Sequence, residues 1–327
     1  MRFVLRRAGF FLLTLWSAMT LNFVIPRLMP GDPAEAIFAR YKGRVSPTVV
    51  KALEAQFGIH NNKNIVLQYF DYLANTLRGR FGISTYYFPN PVSKEIATAL
   101  PWTVMLVGIT TLLAFLLGTL IGTVSAWRRG GALDSILPPV FVVTSAIPYF
   151  WVAMVFVLVF AVSLSWFPTA FGYTPGITIE PSMHFFLNAI DHAILPAVTI
   201  LITSIGGWIL TMRNNMITTL AEDYVRMGRA KGLTSRRVMF DYAARNAILP
   251  NLTGFAMSMG FVISGAILVE YVFSYPGIGF MLLQAVSGED FPLMQALFLL
   301  ITVAVLVAVL LADIVTALLD PRTRQNA

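Results

Sequence analysis

EDYVRMGRAKGLTSRRVMFDYAARNAILPN, residues 222–251, is the most charged stretch in the second half of a chain that otherwise avoids charge. Its first half has a helical pattern, with Tyr224, Val225 and Gly228 followed by Ala230, and Gly232 breaks it. A second helical run follows, with Val238, Met239, Tyr242 and Ala243 on one side and Arg236, Arg237 and Arg245 on the rest; Asn246 and Pro250 close it. The stretch therefore reads as a short helix, a glycine turn and another helix, set between two apolar segments. Taken alone, an amphipathic basic loop of this kind would lie on anionic lipid headgroups.

The surroundings fix the class. Of 327 residues, 57% are hydrophobic and 12% charged, against about 25% charged in soluble globular proteins. Mean hydropathy is +0.73. These values predict an integral membrane protein, and its helix-length apolar runs make it an all-α one. The net charge of +7 first implies basic cytoplasmic loops, ahead of any nucleic-acid partner. With no cysteine in the sequence, disulfides and thiolate metal sites are excluded. The start, MRFVLRRAGFFLLTLW, has the basic head and apolar run of a signal peptide. The run continues to Ile25 without a small-x-small cleavage site, so it is expected to remain as a first span.

Six segments are long and apolar enough to cross a hydrocarbon layer ~30 Å thick: residues 8–25, 102–127, 136–164, 194–212, 252–273 and 293–319. The third contains Pro138, Pro139 and Pro148 and is expected to be irregular. Arg2, Arg6 and Arg7 precede the first segment, Arg128 and Arg129 follow the second, and Arg322 and Arg324 follow the last. The short opposite loops, 165–191 and 274–292, hold no Lys or Arg. The positive-inside rule then places both termini, and the basic loop at 214–250, in the cytoplasm. The chain divides into a first membrane helix (1–28), an extracytoplasmic helical segment (29–100) and a five-helix core (101–327). Within the middle segment, Ser46-Pro47 is a helix start, with Val49, Leu53 and Phe57 on one face and Gly58 as the stop. Ile65, Tyr69 and Leu73 form a second stripe that ends before Gly79.

The order of residues in the basic loop carries further information. R-x-x-R-A-K-G-L followed by R-N-A-x-L-P, with Pro250 eighteen positions after Gly232, resembles the cytoplasmic coupling loop of binding-protein-dependent ABC importer permeases of the dipeptide, oligopeptide and nickel family. The commoner form of that motif begins Glu-Ala-Ala; here Arg226, Met227 and Gly228 stand at those positions, so the acidic residue is absent. MPGDPA at 29–34, SAIPYFW at 145–151, VEYVFSYPGIG at 269–279 and LLDPRTR at 318–324 resemble four other family stretches in the right order. The resemblance is to the first, B-type, permease of the peptide systems.

That resemblance implies the six-helix type I importer fold in the cytoplasmic membrane. It also implies a second, different permease chain, two cytoplasmic ATPase subunits and an extracytoplasmic solute-binding protein. Arg226, Met227, Arg229, Ala230, Lys231, Gly232 and Leu233 would form the ATPase-coupling loop. Exposed ion pairs contribute about 0–1 kcal/mol each, so docking is expected to rest on Met227, Ala230 and Leu233. The loop at 127–135 would add a smaller contact. Pro148, Trp151, Ser258, Ser264 and Glu270 are candidates for the pathway or its gate, although Glu270, near a span end, is also explained by solvation there. Gly118 and Gly122 form a G-x-x-x-G in the second segment, read as packing within the chain.

No G-x-x-x-x-G-K-[ST] occurs, so ATP and Mg belong to partner subunits and the chain is not expected to be an enzyme or to hold a cofactor of its own. There is no H-E-x-x-H, and the three histidines, His60, His184 and His192, are scattered; no metal site is expected. The aromatic stretch at 83–91, ISTYYFPNP, is explained by an interfacial Tyr belt or, more sharply, by a sugar-contacting surface. Cargo remains open between peptides, oligosaccharides and nickel. An ion-coupled carrier is the competing class, disfavoured by the scarcity of mid-span acids.

Overall fold

The computed structural model describes residues 2–28, 64–264 and 266–319. The described residues are helical, with one isolated antiparallel bridge between Ile83 and Pro91. In chain order the helices are α1 (Arg2–Leu28), α2 (Ile65–Leu77), α3 (Val92–Trp127), α4 (Ala132–Ala146), α5 (Tyr149–Ser163) and α6 (Met183–Leu220). They continue with α7 (Asp223–Ala230), α8 (235–247), α9 (Leu249–Phe261), α10 (Ile267–Val272), α11 (Ile278–Ser287) and α12 (Phe291–Leu319).

Three of these helices, Val92–Trp127, Met183–Leu220 and Phe291–Ala312, are long and apolar enough to cross a membrane. Their outer faces are apolar too: Leu112, Leu113, Leu116 and Leu117 on α3 are all exposed. Water would not tolerate so continuous a leucine face, whereas lipid does. The predicted second, fourth and sixth segments thus appear as α3, α6 and α12, α3 extended at its start and α6 at both ends. The first appears as α1.

Two predicted segments are not continuous helices. The third breaks between α4 and α5: Ile147 and Pro148 both take extended backbone, ψ 124° and 127°. Proline supplies the reason, since it lacks an N–H and crowds the residue before it out of the helical region. Pro138 and Pro139, by contrast, sit inside α4. The fifth segment breaks after Phe261 and restarts at Ile267. A third irregularity is milder. Five residues after Pro101 complete a π turn, Val104–Gly108, within α3, as expected where a proline disturbs the hydrogen-bond ladder.

The tightest helix pair is α3 with α6. A Cβ on Gly118 would meet Trp208 and the Ile205 carbonyl; one on Gly122 would meet the Ile209 carbonyl and Met212. Both positions therefore need glycine for the two backbones to approach this closely, and the G-x-x-x-G packs within the chain as expected. On top of this pair, the Phe141 ring of α4 lies against Gly206 of α6. Gly260 of α9 lies against Ala304 and Ala308 of α12.

Buried side chains gather in three places along α3. Near its Val92 end, Val92 and Ala99 pack with Ile278, Leu282, Leu293 and Leu297 from α11 and α12. Midway, Leu106 and Val107 pack with Ala153, Leu195, Val262 and Phe273. At its Trp127 end, Ala126 packs with Met212, Met216, Val225, Val238 and Ala243. The first and third cores lie at opposite ends of one helix. The stripe Ile65, Tyr69 and Leu73 falls on α2 as expected; Ile65 is exposed, and α2 docks on α1 through Tyr69 and Tyr72. The Tyr69 hydroxyl pairs with Thr20 at 2.7 Å, the Asn22 amide donates to Tyr72, and Phe23 lies against both tyrosine rings. The helix expected after Ser46-Pro47, the stretch 29–34 and residues 320–324 of the last stretch lie outside the described residues.

Candidate coupling surface and the cleft at the opposite end

The basic stretch at 222–251 folds as α7, a glycine stop and α8. Asp223 stands in the first turn of α7 and Arg229 in the last, so each complements the helix dipole. The stop is a Schellman motif: the Gly232 amide donates to the Arg229 carbonyl (3.0 Å) and the Leu233 amide to the Gly228 carbonyl (3.4 Å). Gly232 has φ +72°, a backbone state that other L residues enter at a cost of about 1–2 kcal/mol. Leu233 then turns inward onto the Met212–Val225–Val238 core.

One face of α7 is internal. Val225 and Gly228 are buried, and the Tyr242 ring of α8 lies over Gly228. The opposite face is open: Arg226, Met227, Arg229, Ala230 and Lys231 are exposed, Met227 to 56%. Of the three apolar docking candidates, Met227 and Ala230 therefore face outward. Leu233 does not; it is half-buried and serves the stop itself, because the residue after a Schellman glycine packs back on the helix. Arg226 is held only loosely, 3.6 Å from Asp223.

The 127–135 loop joins this surface. The Arg229 guanidinium stands 5.2 Å over the Trp127 ring at the end of α3. Arg213 Nε of α6 donates to Asp134 Oδ1 at 2.6 Å, and the Gly130 amide donates to Asp134 Oδ2. Asp134 precedes the apolar part of α4, and these donors hold its carboxyl below the usual carboxylate range. Arg128 and Arg129 are exposed beside them.

At the Val92 end of α3, two buried carboxylates organise the connections. Glu270 of α10 has no exposed surface. Its Oε2 accepts from the amides of Gly279 (2.7 Å) and Phe280 (3.2 Å), and its Oε1 accepts from the Thr103 hydroxyl (2.8 Å). Thr103 Oγ1 in turn accepts from the Ile278 amide. Three orphan donors of the α11 N-terminus are thus satisfied by side chains from α10 and α3. Glu270 was a lining candidate by sequence; its side chain is instead spent inside the chain, and interface solvation does not describe it either. The N-terminal amides of α11 supply the donors that a buried carboxyl needs, and the carboxyl supplies the acceptors they lack.

Asp290 is likewise fully buried. It caps α12 through the Leu293 amide and accepts from the Ser84 hydroxyl and the Tyr86 amide. The aromatic stretch at 83–91 is thereby strapped to the start of α12, and the Tyr87 hydroxyl donates to Gln284 Oε1 of α11. Asp290 ahead of Phe291-Pro292 carried a readable N-cap signal. Thr103 did not, because its partner is 167 residues away.

The remaining pathway candidates are separated. Pro148 and Trp151 are exposed at the α4–α5 break. Ser258 and Ser264 donate to the carbonyls of Phe255 and Phe261 within their own segment. Between α5, α10, α11 and the 83–91 strap lies a cleft of about 720 Å³, lined in part by Tyr86, Met154, Tyr271, Phe280 and Gln284.

Residues 118–325 match the family described as binding-protein-dependent transport system inner membrane component. The chain belongs to that family. The match begins at Gly118, so it covers the end of α3, the α7–α8 surface and both capped connections. Relatives extend the likeness over the whole length. The di/tripeptide transport system permease DppB of Pseudomonas aeruginosa is 34% identical over 99% of both chains. The oligopeptide transport system permease AppB of Bacillus subtilis is 32% identical over 98% of both. The metal-staphylopine import system permease CntB of Staphylococcus aureus is 30% identical over 100% of this chain and 99% of its own. This chain is therefore a transmembrane permease subunit of an ATP-binding cassette importer.

Proposed function

We propose that this permease carries peptides, and that it crosses the membrane six times with both termini in the cytoplasm. Its crossings are α1, α3, α4 with α5, α6, α9 with α10, and α12. A second, different permease completes the pathway, two ATPases act on the α7 surface and supply the hydrolysis of ATP, and an extracytoplasmic binding protein delivers cargo. The peptide reading is supported by the cargo words in the names of the relatives from P. aeruginosa and B. subtilis.

The observation that carries the coupling assignment is the construction of α7. A handle that transmits force must not bend. Here a two-turn helix is stopped by a defined turn, anchored through Val225 and Gly228 on the Trp127-end core, and open on the side bearing Arg226, Met227, Arg229 and Lys231. Arginine suits the rim of such a contact, since its fork pairs with carboxylates in fixed geometry. Met227 supplies the adaptable apolar centre.

The test is co-expression of the permease pair with the ATPases. Wild type is expected to co-purify with the ATPases in stoichiometric amount. Arg229→Glu reverses the charge and strips the cation from Trp127; Gly232→Pro imposes a negative φ where +72° is required. Both are expected to abolish ATPase retention while the permease pair stays assembled. Undiminished retention in both variants would move the coupling surface elsewhere. Cargo is settled separately, by the ligands that raise the melting temperature of the cognate binding protein. Peptides are expected to do so, and a metallophore complex, in line with the S. aureus relative, is the alternative outcome.

A further inference from the structure

We propose that the cleft between α5, α10, α11 and the 83–91 strap is a contact site for the peptide backbone of the cargo on its way through the permease; this rests on the peptide reading above. The volume of about 720 Å³ lies inside the range of roughly 300–1,000 Å³ typical of ligand sites. The chemistry of its walls narrows the ligand. No Asp, Glu, Lys, Arg or His lines it among the described residues. A bare metal ion would find neither carboxylate nor imidazole there, and a charged group would find no counter-ion.

What the cleft does offer is paired donors and acceptors without charge. Gln284 is the central one. Its Oε1 is held by the Tyr87 hydroxyl, which turns its amide nitrogen free to donate. The hydroxyls of Ser274, Ser287 and Tyr271 on its walls have no partner among the described residues, and each both donates and accepts. A peptide unit presents one N–H and one C=O, which is what such walls can satisfy. The rings of Tyr271 and Phe280, 6.2 Å apart and tilted, add an apolar wall that is indifferent to side-chain identity. A site that reads backbone and tolerates many side chains suits a permease whose selection is made by a binding protein.

The walls are also fixed in advance. Glu270 clamps α10 to the start of α11, which sets Tyr271 and Phe280 relative to each other. Asp290 fixes the strap that carries Tyr86 and Tyr87. Preorganised walls lower the ordering cost of each passing ligand.

The absence of native cysteine gives a direct test. The complete importer, with its partner permease, ATPases and binding protein, is reconstituted in liposomes carrying Ser287→Cys, or Ser274→Cys should the first not assemble. A charged methanethiosulfonate labels the single thiol of this chain, read by mass, with Arg78→Cys at the exposed end of α2 as the reference position. Tri-alanine is expected to slow labelling in the cleft about tenfold and to leave the reference unchanged, and Tyr271→Ala is expected to raise the KM for tri-alanine uptake by about the same factor. If tri-alanine is taken up while cleft labelling and the Tyr271→Ala KM stay unchanged, the cleft assignment falls and the peptide reading stands. Protection by maltotriose and not by tri-alanine overturns the backbone assignment. If the wild-type importer takes up no tri-alanine, the peptide reading falls and takes this site with it.

Discussion

Deleting the Glu270 carboxylate would leave the amides of Gly279 and Phe280 and the hydroxyl of Thr103 pointing into a dry interior. Each buried donor without an acceptor costs about 1–3 kcal/mol. Glu270→Ala is therefore expected to destabilise the purified permease by roughly 3 kcal/mol or more, read as a fall in the thermal unfolding midpoint in detergent. Glu270→Gln keeps an acceptor for the amides and should lose much less; equal losses in the two variants would show that volume matters and the acceptor does not. Asp134 gives a second test at this scale. Its carboxyl titrates below the ordinary 3.8, so its contribution is present above that value and is lost as pH falls through the lower folded value. Wild type is expected to unfold later than Asp134→Asn by a margin that is constant from about pH 5 upward and closes in stronger acid. Neither residue's role could be read from the chain, because Thr103 and Arg213 come from distant helices. Arg226, Met227, Arg229 and Lys231 were readable as an outward face, since neighbours on one helix set that face locally. Leu233, expected to join the docking contact, is half-buried against the Trp127-end core, as an apolar residue after a glycine stop also serves the fold.

Helices were legible where a local pattern carried the whole signal. The stripe on α2, the glycine stop of α7 and the apolar runs of α3, α6 and α12 need no knowledge of the rest of the chain. Pro148 marked the irregular segment correctly, though not that the helix would part there. The break after Phe261 had no such mark, because residues 252–273 contain no proline. Its physical account is tertiary: α10 must turn for Glu270 to reach the N-terminus of α11. The α3–α6 pair shows the converse, a spacing whose meaning was plain from the sequence. Gly122→Leu would drive a side chain into the Ile209 carbonyl and Met212, and overpacking of this kind costs about 1–3 kcal/mol. A drop in the unfolding midpoint together with loss of ATPase retention is expected, since the same helices carry the α7 anchor. Gly9→Leu, at a position with open space around it, is the control expected to change neither.

At the scale of the molecule, the three cores divide the work. The Trp127-end core holds the basic surface, the Val92-end core holds the capped connections, and α3 and α6 run between them. If the α3–α6 pair moves as one body, hydrogen exchange should be slowest there and indifferent to nucleotide on the ATPases. Amides of α10 and α11, short helices with few turns of their own, should change protection when nucleotide is exchanged. The reverse pattern would place the moving part in the pair. With 38 residues at 1.5 Å each, α6 is about 57 Å long, well beyond the hydrocarbon thickness of ~30 Å. Glycine contacts join its 205–213 stretch to α3, and Pro196 lies inside it; a tilt of the pair as one body by about 5° would sweep its far tip through roughly 5 Å. A tilt of that size would turn a small nudge at one end into a displacement wider than a water molecule at the other.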